Sequence, residues 1–81
     1  MVRVDIEYCA PCRIAGTAVT TQRVLADRLR EYDEIEDLRL EPTDENILSV
    51  RVDGDRIWSA DPRERIDPME AVDAVRKWLR A

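Results

Sequence analysis

Cys9 and Cys12 are the only two cysteines of the chain, and they stand three positions apart in Tyr8-Cys9-Ala10-Pro11-Cys12-Arg13. Two thiols at this spacing can open and close a disulfide, one sulfur attacking as a thiolate and the other displacing the mixed species. Such chemistry asks two things of its scaffold. The alpha carbons must lie within roughly 4.4–6.8 Å, so that the bond closes without rebuilding the backbone. Positive charge must also lie nearby, because the ionised sulfur is the reactive form. The first turn of a helix would supply both, through the approach of positions i and i+3 and through the partial positive charge and unpaired N–H groups of a helix N-terminus. Pro11 suits that turn, where its missing N–H removes no hydrogen bond. Arg13 could add charge beside Cys12, although a guanidinium in water is well screened. Ala10, Pro11 and Arg13 are therefore expected to support the motif.

The flanking segments are patterned to hold it. Val2, Val4, Ile6 and Tyr8 alternate with Arg3, Asp5 and Glu7, the period-two signature of a strand with one buried and one wetted face. From about Cys12 to Glu31, Ala15, Ala18, Val19, Gln22, Leu25, Ala26 and Leu29 recur at threes and fours, which predicts a helix with one packed stripe. A short second strand follows at Leu38 to Glu41, closed by Pro42 and the polar Thr43-Asp44-Glu45-Asn46. Leu48, Val50 and Val52 alternate into Asp53-Gly54, and Arg56-Ile57-Trp58-Ser59 resumes beyond it, a strong hairpin signal. Asp67-Pro68-Met69-Glu70 reads as a capping residue, a first-turn proline and the glutamate of a capping box. The helix after it carries Met69, Val72, Val75, Trp78 and Leu79 on one face.

The order is strand, helix, strand, strand, strand, helix. A strand-helix-strand unit crosses over right-handed and makes its strands parallel, whereas the later hairpin is antiparallel, so the expected four-stranded sheet is mixed. Every strand alternates, which leaves one sheet face wet and puts both helices on the other. The expected architecture is α/β, a two-layer β-α-β-β-β-α domain over residues 1–81.

Bulk composition narrows the function. A chain of 81 residues with 44% hydrophobic and 38% charged residues is one globular domain. Its longest apolar run falls far short of the ~18 residues of a membrane span, and its alternating N-terminus lacks the form of a signal peptide. The expected location is cytoplasmic, where a cysteine pair is catalytic, redox-sensing or metal-binding more often than structural. A net charge of -5 disfavours nucleic acid and anionic membrane as partners. With Lys77 the only lysine, the acidic surface suits a halophile's cytosol, and an arginine-rich, GC-biased genome would give the same ratio. A closed zinc site wants four ligands, and with two cysteines and no histidine this chain would need a symmetric dimer to provide them. Two inert thiols are the other alternative to redox chemistry.

Other residues receive lesser roles. Pairing Ile57 with Val50 or Val52 on the buried face would turn Trp58 to the open face, where it could engage a protein partner or fold over the stems of Arg51 or Arg39. Asp5 and Glu7 could assist proton transfer to Cys12 if one were buried, but their alternation places them on the wetted face. Asp33-Glu34-Glu36-Asp37 reads as a solvated turn, and Trp78 and Met69 as core.

The chain resembles the selenoprotein W-like family, the Rdx group of thioredoxin-like redox proteins, as a cysteine-containing member. The resemblance covers nearly the whole length. It rests on Val4-Asp5-Ile6-Glu7-Tyr8-Cys9-Ala10-Pro11-Cys12 for the family's strand and C-x-x-C/U motif, on Val50-Arg51-Val52-Asp53-Gly54 with Ile57-Trp58-Ser59 for its hairpin, and on the C-terminal helix. It implies a thioredoxin-like fold and thiol-based redox activity with Cys9 and Cys12 at the redox positions. In thioredoxins the first cysteine attacks, and the C-x-P-C spelling inclines the reading to Cys9 as attacker and Cys12 as resolver. Many members carry selenocysteine at the second position, however, which points the other way, and the sequence leaves the nucleophile open. Arg13 stands where the family usually has glycine, and Asp44-Glu45-Asn46 where a glycine pair commonly precedes the third strand. The expected function is a small thiol-disulfide oxidoreductase acting on thiol or disulfide proteins, monomeric and with no cofactor beyond its sulfurs. The alternative is a non-catalytic, redox-responsive protein-binding module.

Overall fold

The computed structural model describes residues 1–80. Six elements follow in the expected order: β1 (Val2–Cys9), α1 (Ala15–Arg28), β2 (Ile35–Thr43), β3 (Leu48–Val52), β4 (Asp55–Ala60) and α2 (Pro68–Arg80). The sheet order is β2-β1-β3-β4, with β1 and β2 parallel and both pairs involving β3 antiparallel. Both helices cover one face, giving the expected two-layer thioredoxin-like arrangement. None of the described helices is long and apolar enough to cross a membrane.

Alternation in β1 translates directly into burial. Val4 and Ile6 are fully buried and pair with the equally buried Val52 and Val50 of β3, while Arg3 is exposed. Leu25 of α1, Leu29 at its C-terminal cap, and Ala71, Val72 and Val75 of α2 close over that row to form the core. Each fully buried Val, Leu or Ile contributes about 1.5–3 kcal/mol relative to leaving it in water. Trp78, Met69 and Leu79 lie partly buried against the same core.

Helix α1 is shorter than the apolar stripe suggested and rotated slightly from it. Ala15 and Ala26 are exposed, whereas Thr21 is fully buried and donates its hydroxyl hydrogen to the Thr17 carbonyl at 2.9 Å. A threonine can enter the core this way because its polar group is satisfied within its own helix. Gln22 fastens α1 to the sheet, its Nε2 donating to the Leu38 carbonyl at 2.9 Å. Helix α2 begins as its sequence indicates, with Asp67 Oδ1 accepting from the Met69 N–H at 3.0 Å and Pro68 in the first position.

Strand β2 is longer than expected. It runs nine residues, from Ile35 through Thr43 and so across Pro42, and Glu36 and Asp37 belong to a strand and not to a solvated turn. An edge strand accommodates Pro42, because the missing N–H need not face a neighbour, and the exposed charges discourage pairing with another chain.

The hairpin behaves as its Asp-Gly pair demands. Val52 pairs with Asp55 across the two-residue loop Asp53-Gly54, and both loop residues have positive φ, 51° and 88°. That geometry is the primed turn that matches strand twist. Register beyond the turn departs from simple alternation. Arg51 pairs with Arg56, Val50 pairs with Trp58, and Ile57 is the extra residue of a bulge between them. The expected placement of Trp58 on the open face is therefore wrong. Partnership with Val50 puts it on the helix-covered face, where both Trp58 and Ile57 pack against the core. A bulge inserts one residue and shifts every later side chain to the opposite face from the one strict alternation assigns.

Candidate functional site

Cys9 is the last residue of β1, and Cys12 follows it across a turn in which the Cys12 N–H donates to the Cys9 carbonyl at 3.3 Å. The two are joined as a disulfide, with alpha carbons 5.3 Å apart. A β-turn, which by definition brings positions i and i+3 within about 7 Å, accounts for that distance. The scaffold is thus a turn and not, as expected, the first turn of a helix. A second turn overlaps it, with the Arg13 N–H reaching the Ala10 carbonyl at 3.5 Å. Pro11 occupies the second position of that turn, where its fixed φ is favoured.

Arg13 ends the turn with φ 60°, the left-handed region. A backbone in that conformation cannot belong to a helix, so α1 starts only at Ala15, capped by Ile14. The helix start therefore lies beyond Cys12, not beneath both sulfurs. Among the described residues, no side chain caps α1, and its first turn carries no acidic residue. Its positive end, beginning three positions past Cys12, carries no compensating charge of its own first turn.

Neighbouring strands hold the turn in place. The Cys9 N–H donates to the Ile47 carbonyl at 3.0 Å, and the Ala10 N–H donates to the Thr43 carbonyl at 3.0 Å. The motif is therefore stitched to both ends of the β2–β3 loop. Burial separates the two sulfur residues: Cys9 is only 2% exposed, whereas Cys12 is partly accessible, flanked by exposed Pro11 and Arg13.

The β2–β3 loop brings a group to the site that sequence reasoning missed. Asn46 Oδ1 lies 3.1 Å from Cys12 Sγ, across 34 positions of sequence. Its polar stretch read as a connecting loop, and no local pattern signals that it folds against the cysteine turn.

Glu7 sits on the uncovered sheet face as a structural link. Its Oε1 accepts from Ser49 Oγ at 2.9 Å and lies 2.8 Å from Arg51 Nε and 3.4 Å from Arg56 NH2. Arg56 also reaches Glu45 Oε2 at 3.5 Å, tying the loop that carries Asn46 to the sheet. A carboxylate surrounded by two guanidinium groups is occupied as a counterion, which argues against a proton-relay role for Glu7. Asp5 stands opposite Arg51 in the ladder, and neither Asp5 nor Glu7 contacts Cys12 among the described hydrogen bonds. Among the described residues there is also no cluster of three or more potential metal ligands.

Comparison with known proteins agrees with this geometry. The sequence profile described as the Rdx family matches residues 3–77. The crystal structure of a selenoprotein W-related protein from Vibrio cholerae superposes with a TM-score of 0.75 over 96% of each chain, at 20% identity. A protein of Bordetella parapertussis superposes with a TM-score of 0.78 over 95% of this chain and 96% of its own, at 18% identity. No curated protein sequence matches the chain.

Proposed function

Since the chain belongs to the Rdx family, we propose that it is a small thiol-disulfide oxidoreductase in which Cys12 attacks and Cys9 resolves. The observation that carries this reading is the unequal burial of a bonded pair, Cys9 shut in at 2% exposure and Cys12 reachable. A buried thiol cannot meet a disulfide on another protein, whereas a partly exposed one next to a helix N-terminus can, and it is also the sulfur whose ionisation that helix end favours. This reverses the assignment that the C-x-P-C spelling suggested.

In the reductive direction, the Cys12 thiolate attacks one sulfur of a substrate disulfide. A Cys12–substrate bond forms, and the other substrate sulfur leaves as a thiolate that takes a proton from water. Cys9 then loses its proton, and its thiolate attacks Cys12 Sγ. The Cys9–Cys12 disulfide closes, and the second substrate sulfur is expelled. The substrate gains two electrons and the protein loses two. No cofactor enters the exchange. Its setting is a reducing cytosol, with protein thiols or disulfides as substrates.

Single cysteine variants test the assignment. Cys9→Ser should accumulate a stable mixed disulfide through Cys12, and Cys12→Ser should trap nothing. Trapping by Cys12→Ser instead would reverse the roles. An exchange-inactive wild type that still captured a partner in one redox state would replace the catalyst by a redox-responsive binding module.

A further inference from the structure

The contact between Asn46 and Cys12 remains unused by the exchange cycle just described. In the closed disulfide the Cys12 sulfur carries no proton, so the 3.1 Å approach of the Asn46 amide is not thiol donation in this state. An asparagine amide offers an acceptor oxygen and an NH2 donor whose positions exchange by a half-turn of the side chain. It can therefore accept from a thiol and donate to a thiolate at the same place. The residues on both sides of Asn46 are anchored. The Glu45 N–H donates to Thr43 Oγ1 at 3.3 Å, Glu45 pairs with Arg56, and the Ile47 carbonyl accepts from Cys9. Asn46 is held against the sulfur by the same loop that holds the turn.

We propose that Asn46 is the hydrogen-bonding partner of the reacting sulfur, donating its amide N–H to the Cys12 thiolate when the disulfide opens. The proposal rests on the reading that Cys12 is the attacking thiol. Reduction adds two electrons and, above the titration of Cys12, one proton, leaving Cys9 as the thiol and Cys12 as the thiolate. The donor from Asn46 then stabilises the reduced state and keeps a larger share of Cys12 reactive. Charged groups of the surrounding elements include Arg13 in the turn, Asp44 and Glu45 in the loop, Glu41 of β2, Asp5 and Glu7 of β1 and Arg56 of β4, of which Arg56 forms ion pairs with both Glu7 and Glu45. They are common to every variant below, so differences report the side chain at position 46.

The test is carried out on the reduced chain in a Cys9→Ser background, where thiolate ultraviolet absorbance against pH reads Cys12 alone. Asn46→Ala removes the donor at an exposed position and should lower the thiolate fraction near neutral pH about threefold. Asn46→Asp is nearly isosteric, but it places a like charge at that short distance, which even in a water-like medium lowers the fraction about tenfold. Raising the salt concentration should shrink the aspartate effect and leave the alanine effect. Asn46→Gln keeps the amide and should restore most of the wild-type titration. With both cysteines present, equilibration against glutathione at a pH above the thiol's titration should move Asn46→Asp about tenfold toward the disulfide, or about 30 mV. Identical Cys12 titration in the wild type, Asn46→Ala and Asn46→Asp would overturn the proposal while leaving the exchange reading intact. Loss of exchange by the wild type would overturn that reading, and the thiolate titration would still report the Asn46 contact.

Discussion

Arg13 holds a left-handed backbone at φ 60°, immediately after the redox turn and one residue before the cap of α1. A side chain with a Cβ costs roughly 1–2 kcal/mol in that region. Arg13→Gly removes this cost, and the extra freedom of glycine in the unfolded chain returns roughly 0.5–1 kcal/mol of it. The balance is a stabilisation of about 0.5–1 kcal/mol. For a domain of this size, 1 kcal/mol moves the melting temperature by about 4–8 °C, so a rise of roughly 2–8 °C is expected. Calorimetry or circular dichroism on the oxidised protein would measure it. Arg13→Ala is the control, since it loses the charge but keeps the strain, and an exposed arginine that joins none of the ion pairs among the described residues should leave stability within about 0.5 kcal/mol of wild type. A melting temperature for Arg13→Gly equal to or below that of Arg13→Ala would refute the strain argument. The result also bears on chemistry, because glycine here would relieve the turn in both redox states and leave the dithiol-disulfide equilibrium nearly unmoved.

Other outcomes follow from the loops that frame the helices. The Asp61 carboxylate accepts from the Arg63 side chain at 3.0 and 3.2 Å and from its backbone N–H at 2.9 Å, which holds its pKa below the usual carboxylate value. A depressed carboxylate stabilises the fold at pH above its unfolded value of 3.8 and loses that contribution as the pH falls through the lower folded value. Because Arg63 is exposed and Asp61 half-exposed, the effect should be small and weakened by salt; Arg63→Ala should move the Asp61 midpoint, followed by carboxyl NMR shifts, back upward. Asp67→Ala removes the oxygen that caps α2 and should cost about 1 kcal/mol, measured by urea unfolding, whereas Asp67→Asn should keep most of it.

Much of the site was legible because it is made of neighbours in sequence. The alternation Val2, Val4, Ile6 marked the strand that delivers Cys9, and the i, i+3 spacing marked two cysteines near enough to join, although they join across a β-turn and not in the first turn of a helix. Asp53-Gly54 and Asp67-Pro68 announced a hairpin and a helix start through dihedral preference and a single short-range hydrogen bond. Each of these signals depends on interactions reaching no more than a few residues.

One correction was local, since the left-handed Arg13 ends the cysteine turn and delays α1 to Ala15; for the others the deciding contact was long-range. Trp58 faces the helices because one bulged residue, Ile57, shifts the ladder, and periodicity has no way to count a residue that the partner strand skips. Cys9 and Cys12 are chemically equal in the sequence and become unequal only when the chain packs over one and not the other. Asn46 meets Cys12 from 34 residues away because β1 is hydrogen-bonded to both strands that flank its loop. Residue types and spacing determined that this chain carries a disulfide-forming pair; strand register, burial and loop closure decided which sulfur meets solvent and which amide meets that sulfur.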